Sequence, residues 1–322
     1  MRMKGWWLMF LCLLVFIACG PSASSYVKQA EGAFSRGDYE ASVEYLTKAI
    51  EKDEDNADYF SNRARCYIKL KNYDKASADF ELAIKYDPYN WNTYDVAGLH
   101  YKAIGDYNKA IDKFTDGLKI DTLSIKSKIY LLGNRSRARN RLKDFEGGLK
   151  DAMTAYKLDT TYAGGMAVIA STYENWGKYD EAEKWYKKAI TVGTKNISIY
   201  NSFGYLYVDM KRYEDAIGVF NKAVELNKKG AFDEDNMLLG YVYNNKGYAQ
   251  LQTDSLDEAV DNINHSIELY ANNSFAYKNM ALCYIKKGDF KEACFYLQKA
   301  ERLGFKEEYG PEVDELIDKY CQ

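Results

Sequence analysis

Proline and histidine are scarce in this chain, which has three prolines and two histidines among 322 residues. So few helix breakers suit a helical protein. With His100 and His265 as the only imidazoles, and no cysteine spacing of the zinc-binding kind, a histidine-built metal centre is excluded. A glycine-rich phosphate loop, a nucleophile beside a base and an isolated carboxylate pair are also missing. Carboxylates abound, but they alternate with lysine along helical faces, as in Glu40-Glu44-Lys48 and Glu181-Lys184-Lys188, where such pairs stabilise a solvated surface. The chain therefore reads as no enzyme, with no cofactor. A basic excess is lacking too: 44 basic side chains face 47 acidic ones, which excludes a nucleic-acid partner.

There is one long apolar run, Trp6 to Ile17, preceded by Arg2 and Lys4 and followed by Ala18-Cys19-Gly20. It is shorter than the about 20 apolar residues of a membrane span, and its flanks are those of a secretory signal. Phe16-Ile17-Ala18-Cys19 resembles a bacterial lipoprotein box, with Phe16 at a place where leucine is usual. The resemblance implies a signal peptide over 1–18, lipidation of Cys19, and a tether over 19–24. Acyl chains contribute about 0.8 kcal/mol per buried CH₂ and would supply the membrane attachment. The tether reaches roughly 17 Å when extended, so the folded part is expected close to the membrane of a cell envelope. Without the leader the balance is 42 basic to 47 acidic. Four cysteines then remain, Cys66, Cys283, Cys294 and Cys321. Cys283 and Cys294 either pair, as an oxidising envelope permits, or are separate small buried hydrophobes.

The rest of the chain repeats. A small residue recurs at Ala30, Ala64, Gly98, Ser136, Ala170, Gly204, Gly247 and Ala281. A second recurs at Ser42, Ala76, Ala110, Gly148, Ala182, Ala216, Ala259 and Ala293, and a third at Ala49, Ala83, Gly117, Ala155, Ala189, Ala223, Ser266 and Ala300. Between the first two falls an aromatic residue or leucine: Tyr39, Tyr73, Tyr107, Phe145, Tyr179, Tyr213, Leu256 and Phe290. Small residues at fixed spacing let two helices touch, and the ring fills the gap beside them. This frame of eight 34-residue units resembles the tetratricopeptide repeat. The resemblance implies an all-α, right-handed superhelical solenoid of helix-turn-helix repeats over 25–307. Two insertions break the period. Residues 125–128 should lengthen a helix capped by Ser124, and 231–239, with Asp233-Glu234-Asp235, should form a loop. Residues 308–322 should make a capping helix after Gly310-Pro311, with Val313, Leu316, Ile317 and Tyr320 on its apolar face.

Two charged pairs share one spacing, Arg63 with Asp79 and Arg135 with Asp151, and predict salt bridges inside repeats. In the tetratricopeptide repeat family the first helices line a groove that accepts peptides. The frame places Arg65, Lys69, Lys102, Arg137 and Arg141 inward in the first half. In the second half it places Tyr205, Tyr241, Asn244, Asn245, Tyr248, Phe275, Lys278 and Asn279. Basic groups hold carboxylates or phosphates, while tyrosine and asparagine offer flat apolar contact with hydrogen bonding. The expected partner is an acidic, partly extended segment of another envelope protein, with no small-molecule ligand. The alternative is a glycan-handling surface with Tyr205, Tyr241 and Tyr248 as sugar platforms. The carboxylate clamp of chaperone-tail-binding repeats needs a basic and asparagine set over three successive repeats, which is not met here. Triplets at Thr122, Thr160 and Ser255, each preceded by aspartate, resemble O-glycosylation acceptors of the Bacteroidota and equally suit ordinary turns.

Overall fold

The computed structural model describes residues 21–228 and 236–321. Cys19, the leader and the acidic triplet 233–235 lie outside them. The described residues form eighteen α-helices and no strand, and no helix among them is long and apolar enough to cross a membrane. The chain divides into two compact units at residues 158 and 159.

The first unit holds α1 (Ala23–Ser35), α2 (Tyr39–Ile50), α3 (Ala57–Lys69), α4 (Tyr73–Tyr86), α5 (Trp91–Ala103), α6 (Tyr107–Leu118), α7 (Ile125–Arg141) and α8 (Phe145–Leu158). The second holds α9 (Ala163–Asn175), α10 (Tyr179–Thr191), α11 (Ile197–Asp209), α12 (Tyr213–Lys228), α13 (Asn236–Gln252), α14 (Leu256–Leu269), α15 (Ser274–Lys287), α16 (Phe290–Arg302), α17 (Phe305–Tyr309) and α18 (Glu312–Tyr320). Within each unit, helices pair in sequence order, so the all-α repeat architecture read from the sequence is the one observed.

The hairpin turn is built the same way in every repeat. One residue, two before the aromatic position, takes the left-handed conformation: Gly37, Lys71, Gly105, Lys143, Gly177, Lys211, Asp254 and Gly288, with φ between 57° and 84°. The next N–H then turns back to a carbonyl in the last turn of the preceding helix, as from Asp38 to Ala33 at 3.0 Å and from Asp106 to Tyr101 at 2.9 Å. Asp38, Asp106 and Asp289 also cap the following helix through their carboxylates. In the core the small residues do what their spacing implied. A methyl group on Gly98 would stand 2.4 Å from the Phe114 ring, and one on Gly204 would stand 2.3 Å from Phe220. Both rings are fully buried.

Both predicted salt bridges form, each bidentate. Arg63 donates through Nε and Nη2 to Asp79, both at 2.8 Å, and Arg135 does so to Asp151 at 2.8 and 2.7 Å. Each arginine also donates from Nη1 to a threonine of the preceding repeat, Thr47 at 3.1 Å and Thr115 at 3.0 Å. These bridges therefore fasten neighbouring repeats as well as the helices of one.

The insertion at 125–128 lengthens α7, and Ser124 Oγ accepts from the Ser127 N–H at 3.1 Å. The second insertion differs from expectation in part, because residues 236–239 already belong to α13. The capping helix is present as α18, with Val313 fully buried against Leu297, Ala300 and Phe305. Helix α17 was not foreseen; Phe305 drives it, burying completely under the last repeat. The cysteine pairing also needs correction. Cys294 is disulfide-bonded to Cys321, joining α16 to the end of the capping helix, while Cys283 is free and buried. Cys283 is sealed among Leu251, Ile263 and Met280. Of the acceptor-like triplets, the one at Thr160 is a plain Asx turn, with Asp159 Oδ1 accepting from the Thr161 N–H at 2.9 Å.

Candidate partner-binding grooves

In the first unit the predicted basic residues do not form one cluster. Arg65, exposed on α3, lies over the Phe34 ring at 5.8 Å beside a hollow of about 190 Å³. Lys69 is exposed at the end of the same helix. Arg141 donates to the Tyr107 hydroxyl at 3.2 Å and covers that ring. Lys102 and Arg137 do come together, on α5 and α7. Burial first, and then the neighbouring Arg137 charge, push the Lys102 ammonium below its ordinary range. Asp95, which the sequence reading missed, shares this face: its carboxylate accepts from Asn134 Nδ2 at 2.8 Å, and Asn134 in turn accepts from Arg137 at 3.3 Å.

The second unit presents a groove of about 410 Å³ lined by Tyr205, Asn244, Asn245, Tyr248, Phe275, Lys278 and Asn279, all of them predicted. Asp209, Lys211, Tyr213 and Glu312 line it too and were not predicted. Tyr241 is not among the lining residues; it packs edge-on against Tyr270, with ring centroids 5.7 Å apart. The asparagines form a ladder across three helices. Asn279 Nδ2 donates to Asn244 at 2.9 Å, Asn244 to Asn245 at 3.1 Å, and Asn245 to Asn201 at 3.0 Å. Asn244 and Asn279 are each 3% exposed, so they make the floor, while Tyr205, 47% exposed, and half-buried Tyr248 make the walls. Lys278 is buried rather than offered to solvent. Its ammonium lies over the Phe275 ring at 4.8 Å and binds Glu312 of the capping helix at 3.1 Å. Glu312 eluded the sequence reading because the repeat frame does not extend to the cap.

Beside the groove, Glu174 accepts from the Tyr186 hydroxyl at 2.8 Å. Burial outweighs that bond and, with the Asp209 charge adding to it, pushes the Glu174 carboxyl up to about 7. A raised acid pKa means the folded state favours the protonated form. Stability from this group is complete below pH 4.5 and is lost as pH rises toward about 7. Glu174→Gln should flatten that decline; urea midpoints at pH 5 and pH 8 that fall equally in both proteins would refute the assignment.

Two sequence profiles, both described as Tetratricopeptide repeat, match the first two and the last four helix pairs, one over residues 33–90 and the other over 163–192, 197–229, 240–273 and 276–303. Together they take in more than half of the chain. The chain belongs to the tetratricopeptide repeat family. Curated relatives of this repeat protein include heat shock protein STI1 of Saccharomyces cerevisiae, 33% identical over 102 residues, or 31% of this chain and 17% of that one. A protein SGT1 homolog of Bos taurus is 24% identical over 180 residues, 55% of this chain and 53% of its own. The tetratricopeptide chain thus spans at most about half the length of these relatives. Among solved structures, a tetratricopeptide repeat protein from Parabacteroides merdae superposes with a TM-score of 0.57 at 16% identity, covering 83% of this chain and 99% of that one. The APC/C hetero-tetramer Cut9-Hcn1 gives a TM-score of 0.59 at 16% identity, covering 92% and 55%. Both likenesses concern the fold.

Proposed function

We propose that this tetratricopeptide repeat protein is a non-catalytic adaptor, held to a membrane of the cell envelope by a lipid on Cys19, whose grooves bind a segment of another envelope protein. The anchor rests on Arg2 and Lys4, the apolar run from Trp6 to Ile17, and Ala18-Cys19. The observation that carries the binding role is the groove of the second unit, where two tyrosines stand above a cross-linked asparagine floor. A floor braced by side-chain amides holds its shape without a ligand, so little ordering cost falls on binding. In the first unit, Lys102 and Arg137 suit an acidic stretch of such a segment. Tyr241, one of the three rings read as sugar platforms, packs against Tyr270 and does not line the groove, which weakens the glycan alternative. Wheat Hsp70-Hsp90 organizing protein is 23% identical over 203 residues, but the clamp set over three repeats is absent, so chaperone tails are not the proposed partner.

The test is crosslinking co-purification from native membranes, beside the Asn245→Ala/Tyr248→Ala variant. The partner should be recovered with the unaltered protein and reduced at least about tenfold with the variant, while circular dichroism shows unchanged helix. Equal recovery from both would move the site away from this groove. Failure of the protein to partition with membranes, or its retention there after Cys19→Ser, would remove the lipid anchor.

A further inference from the structure

The repeat frame gives each first helix two comparable inward places, one and five residues after its first small residue. In α3 they hold Arg65 and Lys69, and in α7 they hold Arg137 and Arg141. In α11 the same two places hold Tyr205 and Asp209, and the first of them in α13 holds Tyr248. In these helices the first unit carries cations and the second carries aromatic rings and a carboxylate, while the same places hold Glu31 and Ser35 in α1, Leu99 and Ala103 in α5, Ser171 and Asn175 in α9, and Leu282 and Lys286 in α15.

The groove's lining also carries Lys211, Lys278 and Glu312 beside Asp209, two cations against two carboxylates, so what distinguishes the site is which of them are paired. Lys278 is taken up by Glu312 at 3.1 Å. Lys211, exposed at the rim in the hairpin turn, makes no ion pair with Asp209, and among the described residues Asp209 has no hydrogen-bond or ion-pair partner. A second acceptor on the lining is also unmatched: Asn279 Oδ1 is buried and receives no donor. The tyrosine hydroxyls report the same field. Burial, then the Asp209 and Glu174 charges, push that of Tyr205 up. Burial again, with Glu312 and Asp209 among the further causes, pushes up that of Tyr248. The charged groups acting on both rings are acidic.

We infer that this groove takes a cationic side chain, the lysine or arginine of an extended partner segment, between Tyr205, Tyr248 and Asp209. The inference rests on the groove reading above and adds the charge of its ligand. A guanidinium or ammonium group gains from the faces of two tyrosines and from a charge-assisted bond to the Asp209 carboxylate. An acidic side chain would meet the Asp209 carboxylate, and an apolar one would leave Asp209 unmatched as its water is displaced.

A random peptide library displayed on phage, panned against the full chain, tests this. Selected peptides are then made synthetically and titrated by fluorescence anisotropy against Asp209→Asn, Asp209→Lys and Tyr248→Ala, each checked for helical content. Peptides should be enriched in lysine or arginine, bind about tenfold more weakly to Asp209→Asn, and give way to acidic peptides on Asp209→Lys. Peptides that need Tyr248 but carry no basic residue, or that ignore Asp209→Asn, overturn the cationic ligand and leave the groove standing. Peptides indifferent to Tyr248→Ala, or no selection at all, overturn both.

Discussion

Asp151→Ala is expected to destabilise the first unit by about 3–5 kcal/mol, the usual cost of breaking a buried ion pair from one side. The carboxylate, 5% exposed, accepts from Arg135 Nε and Nη2 and from Arg139 Nη1 at 2.9 Å. Its loss takes the carboxylate from Arg135, whose side chain is 15% exposed, and leaves Arg139, 23% exposed, with Asp144 at 3.6 Å and the Gly147 carbonyl at 3.0 Å. Asp79→Ala removes the partner of one arginine, Arg63, and should cost less. Asp151→Asn retains an acceptor and should fall between alanine and the native residue. Urea unfolding followed by circular dichroism reads all three. A loss under about 1 kcal/mol for Asp151→Ala would mean that water solvates Arg135 as well as the carboxylate does.

Phe114→Ala should cost a similar amount, about 3–5 kcal/mol, through a different route. The ring is fully buried and lies against Gly98, where there is no side chain that could relax into the space it leaves. Tyr94, Tyr101 and Leu131 of the same cluster are anchored on helices α5 and α7 and cannot close the gap without moving them. The complementary change supplies a control. Gly98→Ala forces a methyl into the ring at 2.4 Å, so it should destabilise alone and be partly relieved when combined with Phe114→Leu. Additive losses in the double variant would show that the two positions do not share one space.

Much of this molecule follows from periodic sequence alone. A repeat fixes which residues meet when contacts are between neighbouring helices at constant spacing, and so the helix pairs, the Arg63–Asp79 and Arg135–Asp151 bridges, the longer α7 and the capping α18 were all legible. The same frame located most of the lining of the second groove, and would have located Asp209 had the place of Lys69 and Arg141 been read in α11. What the tertiary structure alone decided lies where the period stops or where reach matters more than register. Phe305 and Glu312 come from the aperiodic C-terminal segment, and Cys321 finds Cys294 rather than Cys283 because the cap folds back over one side of the last helix pair. The asparagines at two adjacent repeating places turned out to bond to one another across helices, and Lys278 to be buried under a salt bridge, because side-chain orientation is set by the neighbours each finds and not by position along the helix. Sequence settles the backbone of such a protein because its energetics are local and repeated. The charge and shape of its grooves depend on non-repeating side chains meeting across helices, and only the packed structure determines those.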